Sequence, residues 1–506
     1  MSAPTDPAEW VEAAALRHPE RCFLRTAAGA VWTYRALRTE SRQFAAALAQ
    51  LGVNPGDRVA VQVDKSAAAV FLYVACLRLG AVFVPINVAN TASEVDYFLR
   101  DSQPRVAVVR PEDHAALEPV ARRAGVLHVE TLGADGHGTM SARARASIVP
   151  AGVPAPLPQI PRVNAPAAIV YTSGTTGRSK GAILTRHNLL SNAGTLAAEW
   201  RFTERDVLLH VLPLYHVHGL FVAINTVLAS ASALLLLPKF DAALALEHLP
   251  AVTVFMGVPT HYTRLLQERL LDRERTAGVR LFVSGSAPLL VDTHREFLQR
   301  TGHTILERYG MTETLMNTSN PYAGERRPGS VGPPLPGIAL RVAGAEPIGT
   351  LEVNGPNVFA GYWRDPDKTR DAFTADGWFK TGDLGRIDAE GYVSIVGREK
   401  DLVISGGYNV YPKEVEMELD ALAGVLESAV FGAPHPDFGE GVTAAVVPQP
   451  GALLSEPELL GALRTRLAAY KVPKRVLLVP ELPRNAIGKV QKNVLRATYE
   501  SLYRGR

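Results

Sequence analysis

Residues 171–181 read Tyr-Thr-Ser-Gly-Thr-Thr-Gly-Arg-Ser-Lys-Gly and bring hydroxyls, glycines, an arginine and a lysine into one short stretch. Such a stretch can wrap polyphosphate, because glycine lets backbone N–H groups approach, hydroxyls donate and cations neutralise. It is not the common P-loop: Gly174 and Gly177 have two residues between them where that loop needs four, and Lys180 is followed by Gly181 rather than by Ser or Thr. A single cluster of this kind is also what a polar turn looks like, so the other chemical groups decide. Pro213–Gly219 carries His216 and His218, and the stretch from Gly257 to Arg264 places Thr260 and Arg264 four apart, on one face of a helix that Pro259 would open. Ser284-Gly-Ser-Ala-Pro288 and Glu307-Arg-Tyr-Gly-Met-Thr-Glu-Thr314 follow strand-like runs, where ligands of open α/β sheets collect. Further on come Asp383 in Thr-Gly-Asp, Gly397-Arg-Glu-Lys-Asp-Leu402, and Lys489 after Pro-Arg-Asn-Ala-Ile-Gly.

The elements that position these groups alternate. Strand-like runs at 58–63, 82–86 and 105–109 flank a helical pattern at 67–79, and the alternation resumes at 207–212, 233–237, 252–256 and 280–283. This predicts an α/β fold with βαβ units around largely parallel sheets. Residues 131–166 hold no period and read as a connection, whereas 340–396 read as a β-rich, mostly antiparallel subdomain. After Asp401 a compact α+β unit begins, with a helix opened by Pro412 and another over 457–470 whose stripe is Leu459, Leu460, Leu463 and Leu467. With 506 residues the chain exceeds the roughly 250–300 at which one core stops growing. The expected division is a large N-terminal domain, 1–399, and a small mobile one, 400–506.

Composition excludes several classes. Fifty-three basic and 50 acidic side chains nearly balance, at net +3, without a long basic run, which disfavours nucleic acid. Cys22 and Cys76 have no metal or redox spacing, no apolar run is long enough to span a bilayer, and the stretch with Asp6, Glu9 and Glu12 lacks the apolar segment of a secretory signal. These features suit a cytoplasmic enzyme.

Taken in order, the motifs resemble those of the adenylate-forming superfamily of acyl-CoA synthetases, peptide-synthetase adenylation domains and firefly luciferases, over nearly the whole chain. The family more often has proline before the loop lysine, where this chain has Ser179. The resemblance implies two half reactions: a carboxylate attacks the α-phosphate of ATP to give acyl-adenylate and pyrophosphate, then a thiol displaces AMP. It implies ATP and CoA as substrates and Mg²⁺ held by Glu313, with phosphate contacts from Thr172, Ser173, Gly174, Thr175, Thr176, Gly177, Lys180 and Thr312. It also implies a mobile positive charge from Lys489. Adenine would be bordered by Gly285, Ser286, Ala287 and Tyr309, with Glu307, Arg308, Gly310 and Met311 completing that side, and ribose would meet Asp383 and Arg398. Lys400 falls at the family's hinge, and Ser405, Gly406 and Gly407 at the loop that meets the thiol.

A narrower resemblance, to the malonyl-CoA synthetases, is carried by Tyr-His-Val-His-Gly, by Gly-Val-Pro-Thr-His-Tyr-Thr-Arg and by Met-Thr-Glu-Thr-Leu-Met-Asn-Thr-Ser-Asn-Pro-Tyr322. It implies malonate as the acid. A dicarboxylate keeps a negative charge inside the closed site after its first carboxylate is activated, and burying that charge unpaired costs several kcal/mol. A pocket cation is therefore required: Arg264, with Arg280 as its rival. His216, His218 and Ser286 would neighbour the acid, one of the histidines nearer its distal end, and Met316 and Asn317 would limit its length. Methylmalonate, succinate and a medium-chain acid are the alternative acids, and a stand-alone amino-acid adenylation domain is the alternative enzyme. A lysine acyltransferase acting on Lys489 would remove the charge used in the first step.

Overall fold

The computed structural model describes residues 4–147, 163–172, 179–344, 347–406, 408–485 and 488–503. Packing divides the chain into two units, Met1–Leu340 with Val353–Phe379, and Arg341–Glu352 with Lys380–Arg506. The second unit thus begins earlier than the expected boundary at Lys400. Its β-rich part coheres through Thr381, whose hydroxyl donates to the Leu351 carbonyl (2.7 Å), and through the Arg341–Glu352 ion pair (2.7 Å).

Among the described residues the first unit holds two sheets. One runs His128–Thr131, Val106–Val109, Arg58–Gln62, Val82–Pro85, Pro166–Thr172, Lys180–Thr185, parallel except for its last hairpin. The other runs Leu315–Ser319, Ile305–Met311, Leu281–Ser284, Val254–Gly257, Val207–His210, Ala233–Leu236, Cys22–Thr26, Val31–Thr33. The helix Ala67–Leu79 is apolar on every side and correspondingly buried, capped by the Ser66 side chain at its start and by Gly80 at φ +68° at its end. Its Tyr73 ring meets Phe83 of the first sheet at 5.3 Å and Phe221 at 5.8 Å, and its hydroxyl donates to Asn225.

The second sheet fixes where chemistry can occur. Val207–His210 pairs with the next strand in sequence on one side and with the following one on the other, so a crevice opens at its carboxyl end. The segments that leave the carboxyl ends at this crevice are Pro213–Gly219, the helix Pro259–Gln267 and Gly285–Ala287, followed on the neighbouring strand by Ile305–Met311 and its turn through Thr312 and Glu313.

The second unit has a four-stranded sheet ordered Ala339–Val342, Gly349–Asn354, Phe379–Ile387, Val393–Arg398. Its five-stranded sheet contains Tyr408–Val410, Val403–Ser405, Gly439–Pro448, Val425–His435 and Arg475–Leu478. Pro412 opens the helix Pro412–Asp420, as expected, and Val415 and Leu419 from it join Val430, Val442, Leu459 and Leu463 in the core.

Four of the described elements depart from the sequence expectation. A helix, Thr139–Ala146, lies in the stretch read as a plain connection; only Met140, Ser141 and Ala144 are buried, so no apolar stripe announces it. The helix expected over 457–470 spans Glu456–Arg464, and Leu467 reaches the core from the turn beyond it. The strand Arg475–Leu478 and the helix Lys492–Thr498 add to the C-terminal unit.

Candidate active site

The phosphate-loop candidate closes an antiparallel hairpin: Pro166–Thr172 pairs with Lys180–Thr185, and Thr172 stands opposite Lys180 at the loop's mouth. Ser173, Gly174, Thr175, Thr176 and Gly177 lie outside the described residues. A strand-to-strand loop also explains the departure from P-loop spacing, since that loop runs from a strand into a helix. Both ends are braced: Tyr97 donates its hydroxyl to the Ser179 carbonyl (2.8 Å) and Tyr171 to Asp101 (2.5 Å).

Glu313 is buried in the tight turn between Ile305–Met311 and Leu315–Ser319, where Leu315 adopts φ +51°. Gly310 is required there, because a Cβ would lie 1.8 Å from the Leu315 carbonyl oxygen. Tyr362 donates to Glu313 Oε1 (3.1 Å), and the Lys180 ammonium lies over the Tyr362 ring at 5.0 Å. No group of three metal-ligating side chains converges among the described residues. Mg²⁺ is commonly bound through one or two protein carboxylates with substrate phosphates and water completing its octahedron, so the buried Glu313 fits that ion.

The acid side gathers at the crevice. His218 begins a buried π-helical turn, His218–Ile224, and its backbone N–H meets His216 Nδ1 at 3.3 Å. Such turns interrupt regular helix geometry and recur at functional sites. Ser286, at φ +70°, sets its hydroxyl 3.3 Å from His218 Nδ1. The Arg308 guanidinium lies flat against Gly285, where a Cβ would come within 2.5 Å of Cζ. Arg308 is buried, and burial pulls its guanidinium down to about 9. Its Nε and Nη2, His218 Nε2 and Ser284 Oγ have no hydrogen-bond partner among the described residues. Each such orphan costs about 1–3 kcal/mol, so their concentration at one crevice marks the place for a polar, anionic ligand.

Arg264 and Arg280 fare differently. Arg264 is exposed on the helix Pro259–Gln267. Arg280 is held by Asp206 through Nε (2.7 Å) and Nη2 (2.9 Å) and by the Trp200 carbonyl (3.0 Å), which leaves it a structural cation. Met316 and Asn317 are buried on Leu315–Ser319; Asn192 clamps the Met316 backbone at 2.9 and 3.3 Å, and Asn357 donates to Asn317 Oδ1 (2.9 Å). The Glu307 carbonyl accepts from Asn320, and a Glu307 carboxylate oxygen accepts from the Gly329 N–H (3.3 Å). Ala287, Tyr309, Met311 and Thr312 follow on the same strand ends.

Sequence reasoning missed a second buried set. Lys65, just beyond Arg58–Gln62, donates to the His210 and Leu212 carbonyls (3.2 and 2.9 Å), and His261 stacks on Phe240 with ring centres 3.9 Å apart. Lys65 therefore pins the start of the segment that carries His216 and His218, while burial pulls its ammonium down to about 7. Its only sequence signal was a lysine between a strand and a buried helix. Burial also holds His210 down to about 3, with Lys65 assisting, and His261 to about 3, with Arg264 and Lys65 assisting. His218 is held well below the ordinary imidazole value by burial and then by Arg308.

These three imidazoles take up protons near pH 6.5 when the chain unfolds but much lower when it is folded. The unfolded chain then binds more protons in that window, so stability is full above about 6.5 and falls as pH drops toward 3, by up to about 1.4 kcal/mol per pH unit for each histidine. Thermal melts from pH 7.5 to 5 are expected to show a falling midpoint, with a shallower slope in His261→Phe, which keeps the stacking on Phe240.

In the second unit Asp383 is buried and paired with Arg398 at 2.9 Å, directly across the ladder between Phe379–Ile387 and Val393–Arg398. Lys489 follows Gly488, at φ +78°, and its N–H donates to Asn485 Oδ1 (2.9 Å). Burial, then Arg398, lowers Lys489 to about 8, partly offset by Asp383. Lys400, exposed in the short turn Glu399–Asp401, is likewise lowered, by partial desolvation and then by Arg398. Ser405 is buried, Gly406 takes φ +59° with its N–H on the Phe438 carbonyl (2.9 Å), and Gly407 lies outside the described residues.

Known proteins resemble the chain over nearly its whole length. The AMP-binding enzyme family matches residues 11–363, and the AMP-binding enzyme C-terminal domain matches residues 414–489. The mitochondrial malonate–CoA ligase of Mus musculus is 37% identical over 93% of this chain and 87% of its own length. A sulfoacetate–CoA ligase of Cupriavidus necator is 34% identical over 97% of this chain and 99% of its own. The crystal structure of ATP-bound MatB from Rhodopseudomonas palustris superimposes with a TM-score of 0.94 at 50% identity, covering 98% of this chain and all of that one. The chain belongs to the AMP-binding enzyme family.

Proposed function

We propose that the protein is an ATP-dependent malonate–CoA ligase. A malonate carboxylate oxygen attacks the α-phosphorus of ATP, the bond to the bridging oxygen breaks and pyrophosphate leaves; the CoA thiolate then adds to the acyl carbon of malonyl-AMP and AMP departs. Charge develops on phosphate oxygens in the first step, and fixed cations there lower the barrier without reorganising. Lys180 and Lys489 are the cations, Thr172 and Thr312 flank the phosphates with Ser173, Thr175 and Thr176, and Glu313 would hold Mg²⁺, which supplies further neutralisation. Asp383 and Arg398 serve the ribose, and Lys400 is the pivot between half reactions. Acylation of Lys489 by a lysine acyltransferase would silence the first half reaction. No helix among the described residues is long and apolar enough to cross a membrane, and a cytoplasmic setting suits the reading.

One observation carries the choice of acid: the buried Arg308 guanidinium with two nitrogens unpartnered among the described residues, beside His218 and Ser286. A buried unpaired cation is costly, and the distal carboxylate of a short diacid compensates it with two parallel hydrogen bonds. Arg308 thus takes the role for which the sequence suggested Arg264. The sulfoacetate–CoA ligase at 34% identity favours a second reading, in which the distal anion is a sulfonate.

AMP release with CoA, measured over malonate, methylmalonate, succinate, sulfoacetate, acetate, octanoate and amino acids, tests both. Malonate is expected to lead, with kcat/KM roughly 100-fold above acetate, the size of effect that hydrogen bonding to a charged group contributes. A lead for sulfoacetate changes the acid and keeps the anion clamp; a lead for any monocarboxylate or amino acid ends the reading.

A further inference from the structure

Residues 359–363 lie alongside the strand Lys180–Thr185 that leaves the phosphate loop. Ile183 N–H donates to the Gly361 carbonyl (3.0 Å), Ala360 N–H to the Ile183 carbonyl (3.0 Å) and Trp363 N–H to the Gly181 carbonyl (2.7 Å), and Ala182 bridges Tyr362. At its other end the segment holds the second sheet, where Phe359 N–H donates to the Glu313 carbonyl (2.8 Å). A short extended run thus ties the strand bearing Lys180 to the turn bearing Glu313, although the two belong to different sheets. Tyr362 projects from its middle and touches both charged groups: its hydroxyl donates to Glu313 Oε1 (3.1 Å) and its ring face carries the Lys180 ammonium (5.0 Å). The ring is fixed edge-on against Phe359 at 4.9 Å, and the Tyr362 N–H is held by Thr369 Oγ1 (2.9 Å).

We propose that Tyr362 is a positioning residue for the adenylating centre, holding the Glu313 carboxylate for a divalent cation and the Lys180 ammonium for phosphate while keeping the two from collapsing onto each other. An ammonium and a carboxylate within reach of one another in a sheltered cleft attract strongly, and a direct pair would spend on each other the charges that the nucleotide and its metal need. A phenol answers both at once, since its O–H is a donor suited to a carboxylate and its ring face attracts a cation. The proposal rests on the reading of Lys180 and Glu313 as the phosphate and Mg²⁺ groups.

The test uses ATP binding by calorimetry with no acid present, so its outcome does not depend on which acid the enzyme takes. Tyr362→Phe keeps the ring and loses the hydroxyl; Tyr362→Leu loses both. In EDTA, Tyr362→Phe is expected to bind ATP as the unmodified protein does, yet to need roughly 10-fold more Mg²⁺ for half of the Mg²⁺-dependent gain in affinity, the size of effect expected on losing a hydrogen bond to a charged group. Tyr362→Leu is expected to lose affinity for ATP in EDTA as well, by roughly 3- to 10-fold, because Lys180 is released. A merely structural tyrosine would leave the Mg²⁺ requirement of a folded Tyr362→Phe unchanged, and that result overturns the proposal; the near-isosteric phenylalanine variant decides it even if the leucine variant fails to fold. If the unmodified protein binds no ATP, the reading of the centre falls together with the proposal, an outcome separate from a failure of Tyr362 alone.

Discussion

Arg308→Leu is expected to lower kcat/KM for malonate by roughly 100- to 1,000-fold, the loss that follows when one partner of a buried charge pair is removed. Turnover of acetate, which has no distal charge, should stay within about threefold of its unmodified rate or rise. The same variant is expected to hold or raise the thermal midpoint of the ligand-free protein. Arg308 is buried with two nitrogens unpartnered among the described residues, so replacing it by an apolar side chain removes a desolvation cost rather than a contact. Arg280→Leu is the contrasting case: it leaves the buried Asp206 carboxylate without its guanidinium and should lower the midpoint. Arg264→Ala removes an exposed side chain and is expected to leave malonate kinetics within about threefold. Malonate preference that survives Arg308→Leu but disappears in Arg264→Ala would return the clamp to the helix Pro259–Gln267.

The contrast shows what the sequence can carry. Apolar runs placed seven of the fourteen described strands of the first unit's two sheets within a residue or two, because burial on both faces of a parallel sheet leaves continuous Val, Ile and Leu runs. Residue type and order likewise located the loop through Lys180 and the turn through Glu313. Direction was not legible. Arg264 has the better motif for a clamp, four residues from Thr260 on a helix opened by proline, and nothing in that spacing says which face turns inward. The family resemblance assigns Arg308 to the nucleotide side; that it sits flat on Gly285 beside His218 depends on three strands brought together from distant parts of the chain. Tyr362 and Lys65 were invisible for the same reason, since each acts across two sheets that only the folded chain juxtaposes. The helix Thr139–Ala146 escaped on local grounds, its alternating alanine and arginine giving no apolar stripe.

Lys489→Gln separates the two half reactions. Exchange of pyrophosphate into ATP, which reports adenylate formation, is expected to fall roughly 1,000-fold, the scale on which removal of a transition-state charge contact acts. Thioester formation from supplied malonyl-adenylate and CoA should change by less than about threefold, because the thiolate attacks the acyl carbon and no bond to phosphorus is made or broken, whereas the proposed role of Lys489 is confined to the charge built up around the α-phosphorus in the first step. The pH dependence follows from the neighbours of this lysine. Burial and the nearby Arg398 and Lys400 cations hold its ammonium near 8, below the ordinary lysine value of 10.5, against a smaller opposing pull from Asp383 and Asp401. The charged form is therefore present below about 8 and is lost as pH rises through it, so exchange in the unmodified protein should decline above that point, approaching tenfold per pH unit. Lys489→Arg keeps its charge throughout this range and should show no such decline, at a lower absolute rate set by the different reach of a guanidinium. Equal losses in both half reactions for Lys489→Gln, or an unchanged alkaline decline in Lys489→Arg, would remove this lysine from the first step and require another cation there.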